Sequence, residues 1–324
     1  MYSNAIPIRV SVHHGIDSFQ TNATHVYRLT KDNFFAYKEF LNYKTDFSKL
    51  SKSQQSYGID AAKKRLDMRF SGLVGVDMNY SKKSAFGDSF DYRLIRESDK
   101  VKILVAPHCF YDSPHPYGMN LFPDVSVWIE KLIEISEKTD YDWYVKTHPD
   151  FLDLTKEMVV EIFKDHPKFT ILPSDSSHLQ IVNEGIDFAL TMYGSIGFEY
   201  AAMNIPVINA SINNPHIAFD FNIHPRTQLE FTNTLMDLKN VSLKINTNDV
   251  YRYYYMNNIH QSQDWLFLDR VKVLTDLGGY HGQFGEEMYK YWVENWTVEN
   301  HQKILSGLKK FIDSKKYLYL PEYG

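Results

Sequence analysis

The sequence predicts an α/β protein built on a Rossmann-like, doubly wound sheet of parallel strands. From residue 101 onward, short apolar runs alternate regularly with amphipathic segments, the pattern of parallel strands joined by covering helices. Two of these runs end in turns that carry groups suited to phosphate, at 142–150 and at 186–199. Because open α/β sheets bind ligands at the carboxyl ends of their strands, the two turns predict one binding edge.

Composition narrows the class of protein. Of the 324 residues, 44% are hydrophobic and 23% are charged, which is typical of a globular protein, and the net charge of −5 gives no reason to expect nucleic acid. The single cysteine, Cys109, excludes an intrachain disulfide and fits a reducing compartment. No apolar run approaches 18 residues, and the first residues lack the pattern of a signal peptide. We therefore expect a cytoplasmic protein, with peripheral contact at the inner membrane left open.

We predict two parts in the chain. Residues 1–100 are expected to form an acceptor-side α/β region, reduced or incomplete, and residues 101–324 a donor-binding Rossmann-like domain with C-terminal helices. The charged segment 82–100 is the predicted linker between them. In the first part, strands are expected at 8–12 and 69–76, and a helix at 31–42.

The second part supplies the regular alternation. Predicted strands span 101–106, 142–146, 168–172, 186–192 and 205–209. Predicted helices span 125–138, 154–165, 176–184, 196–203, 226–238 and 299–315.

The turn after the strand at 186–192 is the first candidate phosphate site. Gly194 is free to adopt a positive φ, and Ser195 is suited to N-cap the helix that follows. Amides at the start of that helix would face the carboxyl edge of the sheet and attract a phosphate. Gly197 leaves room for a ligand, and Glu199 can accept hydrogen bonds from two ribose hydroxyls. The alternative interpretation is an ordinary strand–helix junction with a good N-cap.

The turn after the strand at 142–146 is the second candidate. It places Lys146, Thr147 and His148 at a strand end, where a lysine charge and a histidine N–H suit a phosphoryl oxygen. The alternative is a histidine that merely orders its own turn. Taken together, the two turns predict a site for a nucleotide monophosphate or diphosphate, with His216 as a further candidate ligand.

Other catalytic chemistries are not expected. The stretch from Gly194 to Gly197 approaches the nucleophile elbow of serine hydrolases, but that motif needs a glycine at position 193, which is tyrosine. Asp140 and Asp142 precede a strand instead of following one, and no His-Glu-x-x-His pair occurs, so no metal site is predicted.

At these positions the sequence resembles a known family. Three stretches resemble the donor-binding domain of bacterial GT-B glycosyltransferases of capsule and wall polymer synthesis. They are Lys146-Thr-His-Pro149, residues 191–195 with Phe198-Glu199, and Pro206-Val-Ile208. These include polysialyl and Kdo transferases and the CDP-glycerol glycerophosphotransferases of teichoic acid synthesis. The 103–107 strand resembles the one that opens their donor domain, and His14-Gly15 resembles the turn that carries their proposed catalytic base. The resemblance covers about residues 101–210 well and the first 30 faintly.

The resemblance implies a metal-independent glycosyltransferase that needs no cofactor. Its partners would be a nucleotide-sugar donor, CMP- or CDP-linked, and a saccharide or lipid-linked acceptor. It implies His14 as the general base, and it implies donor binding by Lys146, His148, Gly194, Ser195, Gly197 and Glu199. The chain departs from the teichoic enzymes at Gly194-Ser195, where they have two adjacent hydroxyl residues. A UDP-sugar 2-epimerase of the same fold and a non-catalytic nucleotide-sugar-binding module remain alternatives.

Overall fold

A computed structural model describes most of the chain. The described residues are 6–21, 26–33, 38–77, 81–107, 110, 119–150, 153–260, 270–279, 282 and 285–320. Cys109 and the 34–37 part of the predicted helix at 31–42 lie outside them.

A five-stranded parallel sheet forms the centre of the fold. Its strands are β3 (Lys102–Val105), β4 (Asp142–Val145), β5 (Phe169–Ile171), β6 (Phe188–Thr191) and β7 (Val207–Asn209). Their order in the sheet is β5-β4-β3-β6-β7, and every neighbouring pair is parallel. The chain builds outward from β3 on one side and then returns to lay β6 against the other side. The strand order therefore reverses between β3 and β6, and such switch points leave a crevice at the carboxyl edge.

Helices cover both faces of this sheet and make up most of the remaining structure. They are α1 (Ile6–His13), α2 (Lys38–Lys49), α3 (Lys52–Phe70), α4 (Val125–Lys138), α5 (Asp153–Phe163), α6 (His178–Asn183), α7 (Ile196–Ala202), α8 (Gln228–Met236), α9 (Thr247–Tyr254), α10 (Arg270–Asp276), α11 (Glu286–Asn295) and α12 (Val298–Asp313). A 3₁₀ turn spans Leu238–Asn240, and a π-helical turn spans Tyr255–Ile259.

The central strands are buried on both faces, as parallel strands between two helical layers must be. Ile103 and Val105 pack into one apolar cluster with Trp143, while Leu104 packs into another with Tyr200. The predicted α/β class is confirmed. The alternation expected between 101 and 209 is also confirmed, with boundaries that differ by a few residues.

The predicted strand at 8–12 is wrong, because these residues lie in helix α1. Ile8 and Val12 are buried, whereas Val10 is 52% exposed. The two buried residues are four apart, so they share a helix face as readily as a strand face. They pack on Leu29 of the antiparallel hairpin formed by β1 (Ser18–Thr21) and β2 (Val26–Leu29).

The predicted strand at 69–76 is also wrong. Helix α3 continues through Phe70, and the chain then turns at Gly72 and Gly75, both with positive φ. Ser51 and Gln54 form a capping box at the start of α3. A long helix with a strong N-terminal signal, followed by a turn, thus takes the place of the strand expected from the sequence.

Arg28 joins the amino-terminal hairpin to the end of the chain. Its side chain is buried and donates to the carbonyl oxygens of Phe311 and Ile312 at the end of α12, at 3.1 and 2.6 Å. A guanidinium suits this place because the last carbonyls of a helix lack intrahelical partners. The first part of the chain is therefore tied to the last helix, and a domain boundary near residue 100 stays a prediction.

The predicted linker 82–100 has no helix or strand, yet it is packed on the sheet layer. Leu94 and Ile95 are buried, and their amides donate to the Glu184 carboxylate at 2.7 Å each. Within the described ranges, no helix combines the length and apolarity needed to cross a bilayer.

Candidate functional site

Lys146 lies at the carboxyl edge of the sheet, one residue beyond β4. It is 2% exposed, and its ammonium donates to the carbonyl oxygens of Thr147 and Ser174, at 3.3 and 3.1 Å. Among the described residues, no carboxylate lies within 4 Å of it. Burial lowers its pKa to about 8, against which the charges of Asp175 and Glu199 act more weakly. The edge therefore holds a buried cation that is still protonated at neutral pH.

His148 follows on the same turn and is half-buried. The Asp150 amide donates to its Nδ1 at 3.1 Å, so a neutral ring carries its proton on Nε2. Burial, and then the charge of Lys146, lower the pKa of His148. The ring is therefore neutral at pH 7, with an N–H of the kind that donates to phosphoryl oxygens.

His178, after β5, is a site residue that the sequence analysis missed. It begins α6, and its Nδ1 lies 2.8 Å from the Tyr200 hydroxyl. Burial lowers its pKa well below 6.5, and the charges of Lys146, His148 and Arg69 add to the effect. No comparable signal marks it in the sequence, since His178 lies six residues beyond the predicted strand 168–172 and inside the predicted helix 176–184. The neighbouring strands β4 and β5 thus both lead to polar groups of this cluster.

The predicted ribose contact requires Glu199 to be open to solvent, but the side chain is buried. It is 3% exposed, and Arg69 Nε donates to its Oε1 at 2.6 Å. Arg69 comes from the end of α3 and also donates to the Val76 carbonyl oxygen at 2.7 Å. Glu199 therefore joins the first part of the chain to α7, and its contact with a ribose stays a prediction.

The start of α7 differs from the expected N-cap. Ser195 is already helical, with φ −58° and ψ −22°, and its side chain makes no capping bond. Thr191 Oγ1 instead accepts from the Gly194 amide at 3.1 Å, which holds the turn from the strand side. Gly194 does not have the expected positive φ; a Cβ there would lie 2.7 Å from Thr191 Oγ1. The half-buried Ser195 hydroxyl has no hydrogen bond within the described part of the chain.

Gly197 makes room for a protein side chain and not, as expected, for a ligand. A Cβ at this position would lie 2.6 Å from Nε2 of His216, whose ring is fully buried. The Gly197 amide is also bonded to the Gly194 carbonyl oxygen at 3.1 Å. The direct role of Gly197 in donor binding stays a prediction, and its close packing on His216 is a sufficient reason for a glycine.

His14 lies apart from this cluster in the contacts of the described residues. It follows α1, is exposed, and contacts the ring of His13 at 5.3 Å between centroids. Gly15 has φ 77°, so the predicted turn is present, although a helix leads into it. None of the described interactions of His14 involves Lys146 or His148, and its role as general base stays a prediction.

Asp142 begins β4 and is buried at the amino end of the strand, away from the site edge. It pairs with Arg96 at 2.9 Å, whereas Asp140 is exposed and pairs with Lys100. Within the described ranges, no group of three His, Cys, Asp or Glu residues is placed to hold a metal ion.

The assembled cluster combines a buried ammonium, two neutral histidines, a hydroxyl and a guanidinium–carboxylate pair. These groups lie around the reversal in strand order: Lys146 and His148 follow β4 on one side of β3, and Ser195 follows β6 on the other. Ammonium, hydroxyl and imidazole N–H groups are all donors to oxyanions. The arrangement can therefore bind a phosphate-bearing ligand and stabilise negative charge on it.

Three of the solved structures to which this chain is similar are two transferases and a polymerase. Two are KpsC proteins of Thermosulfurimonas dismutans, a β Kdo 2,4 transferase (12% identity, TM-score 0.40) and a β Kdo 2,7 transferase (11%, TM-score 0.41). They align with 61% and 74% of this chain and with 55% and 69% of their own. The third is the wall teichoic acid polymerase TagF, at 13% identity and TM-score 0.30, covering 61% of this chain and 46% of TagF. The chain thus spans between about half and two thirds of the length of these proteins. No protein-family model and no curated protein matches the sequence.

Proposed function

We propose that the protein is a glycosyltransferase that uses a nucleotide-activated donor to build a bacterial cell-surface polysaccharide. The observation that supports the proposal is the topology of the sheet: Lys146 and His148 follow β4 and Ser195 follows β6, on either side of β3 at the switch point. Open α/β sheets bind nucleotides at this place, and all three groups suit phosphate. The sequence resemblance around the same residues supports a sugar donor and a saccharide or lipid-linked acceptor.

In this proposal the cluster binds the donor phosphates and stabilises the departing nucleotide. Lys146 supplies the charge, and His148 and Ser195 supply donors aimed at the phosphoryl oxygens. Hydrogen bonds to a charged group typically contribute about 1.5–3 kcal/mol each. A preorganised donor set of this kind stabilises charge as it develops on the leaving group.

Nucleotide binding and the two histidine roles can be tested together. Calorimetric titration with CMP, CDP, UDP and GDP should identify a nucleotide that binds the wild type. Ser195→Ala and His148→Ala should each lower the affinity for that nucleotide by about 10- to 150-fold, the equivalent of about 1.5–3 kcal/mol. His14→Ala should leave affinity unchanged and lower kcat by ~10²–10⁴-fold, because a lost base affects only the chemical step.

Several outcomes would count against the assignments. Wild-type affinity in both Ser195→Ala and His148→Ala would remove the phosphate site from this edge. Full kcat in His14→Ala would remove His14 from the mechanism. A wild-type enzyme that interconverts UDP-sugars without an acceptor would point to the epimerase instead.

Turnover is expected to persist in EDTA. In the proposal, Lys146 and the neighbouring donors carry the charge that a divalent cation would otherwise offset. The measurement is product formation after chelation, with and without added Mg²⁺. Loss of turnover in EDTA and its recovery with Mg²⁺ would show that a metal takes part.

A further inference from the structure

A small pocket lies between the end of α3, segment 81–86 and the His148 turn. Its cavity volume is about 30 Å³. Five of its lining residues are polar or charged: Arg69, Ser81, Lys83, Ser84 and His148. None of the described residues that line it is acidic. Two cations, two hydroxyls and an imidazole form the set of groups that binds carboxylates and phosphates.

The walls of this pocket are held by specific hydrogen bonds. Asp150 accepts from the backbone amides of Lys82 and Lys83, at 3.0 and 3.3 Å, which fixes the start of the 81–86 segment beside the His148 turn. His178 N donates to the Ala85 carbonyl oxygen at 3.0 Å, which fixes its end. Preorganised walls lower the cost of ordering a site when a ligand binds.

The positive charge at the mouth of the pocket comes from Lys83. Its side chain is exposed and, within the described part of the chain, has no ion pair. Arg69 lies deeper and is balanced by Glu199 behind it, so its remaining N–H groups serve mainly to shape and polarise the wall. Lys83 is thus the cation in the lining that is open to a new counter-charge.

We propose that this pocket binds an acidic group, a carboxylate or a phosphate, on the acceptor saccharide. The acceptor assignment rests on the proposed function, in which residues 1–100 are the acceptor-side part of the chain. The walls of the pocket come mainly from residues 69–86, within that part. At about 30 Å³ the pocket is far smaller than those that bury whole small molecules, so it suits one small substituent and not a whole sugar.

The test uses sugars that differ in charge, on the full chain. Ligand-observed NMR titration would compare glucuronate, glucose 6-phosphate and glucose against the wild type, Lys83→Ala and the matched control Lys82→Ala. Lys82 is the exposed neighbour whose backbone is held in the same way but whose side chain does not line the pocket. The two acidic sugars should bind the wild type and Lys82→Ala, and glucose should not. Lys83→Ala should lower the affinity for the two acidic sugars by about two- to fivefold, as expected for one exposed charge, and Lys83→Glu should lower it further.

The outcomes separate this pocket from the donor site. The proposal would be overturned if Lys83→Ala and Lys82→Ala had equal affinity for the acidic sugars. It would also be overturned if the wild type bound glucose as strongly as glucuronate. Nucleotide affinity measured on the same variants should be unchanged by Lys83→Ala. Acidic sugars that bind through Lys83 while no nucleotide binds would keep the anion pocket and reject the proposed function. If the wild type binds a nucleotide but Lys83→Ala binds acidic sugars as well as the wild type does, the proposed function stands and the anion pocket is rejected.

Discussion

Replacing Glu199 by alanine is expected to lower the free energy of unfolding by about 3–5 kcal/mol, because it leaves a buried guanidinium without its counter-charge. Glu199 is 3% and Arg69 8% exposed. Burial alone would lower the pKa of Arg69, but the charge of Glu199 raises it above its ordinary value. Removing one member of a buried pair costs far more than removing both, since the remaining charge keeps its full desolvation penalty.

Denaturant unfolding of matched variants measures this cost. Glu134→Ala is the control, because Glu134 also pairs with cations, Lys131 and Lys138, but on the exposed surface of α4. Its loss should leave the free energy of unfolding nearly unchanged, because exposed ion pairs contribute little. The double variant Arg69→Met with Glu199→Leu should recover much of the stability lost in Glu199→Ala. A Glu199→Ala protein as stable as Glu134→Ala would show that the pair contributes nothing to the fold.

This prediction changes how the donor site must be probed. The sequence presents Glu199 as a ribose contact, and on that basis its loss affects only binding. Because Glu199 also holds α3 against α7, weaker nucleotide binding in Glu199→Ala would mix a lost contact with a disturbed fold. Among the described residues the Ser195 hydroxyl at the same turn has no partner, so Ser195→Ala isolates the ligand contact.

The donor half of the fold was predictable because its elements depend on local signals. Buried parallel strands appear as short apolar runs, and Asp124 caps α4 through a bond to the Ser126 amide, as its sequence position suggests. The first 100 residues offer fewer such signals, of which the capping box of Ser51 and Gln54 is one. At 8–12, an alternating pattern also places Ile8 and Val12 four residues apart, and only packing on the hairpin decides for a helix.

The residues of the candidate site also differ in how far the sequence alone predicts them. Lys146 and His148 were found because they follow a strand directly, whereas His178 begins a helix several residues beyond β5 and the same rule does not reach it. Arg69 could not have been, since it reaches Glu199 across 130 positions of sequence and lies in a segment that appeared to form a strand. The need for Gly197 likewise depends on His216, which arrives from the loop after β7. Contacts between distant segments are decided by tertiary packing, and local patterns do not encode them.

Lys146→Met is expected to weaken nucleotide binding and, at the same time, to stabilise the protein. Lys146 is buried without a carboxylate within 4 Å among the described residues, and burial lowers its pKa from 10.5 to about 8. One pKa unit corresponds to 1.36 kcal/mol, so keeping this ammonium charged in the folded protein costs up to about 3 kcal/mol. Methionine has a similar length and removes that cost. The gain in stability is reduced by the loss of the two hydrogen bonds to carbonyl oxygens.

The sign of the pH dependence follows from the two pKa values. Between about pH 8 and pH 10.5 the unfolded chain binds a proton at Lys146 that the folded protein does not, so the stability of the wild type rises with pH in this window. The advantage of Lys146→Met should therefore be greatest below pH 8 and shrink toward pH 10.5. Denaturant unfolding across this range measures the advantage. Lys164→Met is the exposed control: its ammonium pairs with Glu161 on the surface, so its loss should leave the free energy of unfolding nearly unchanged.

Nucleotide affinity completes the test, because a lysine kept at a cost to the fold is expected to serve a ligand. Loss of one charge-assisted contact to phosphate should weaken nucleotide binding by about 10- to 150-fold in Lys146→Met, with no change in Lys164→Met. Charged lysine is the form that binds phosphate, so wild-type affinity should also fall as the pH rises past about 8. A Lys146→Met protein that is less stable than the wild type and binds nucleotide equally well would show that Lys146 supports the fold and not the donor.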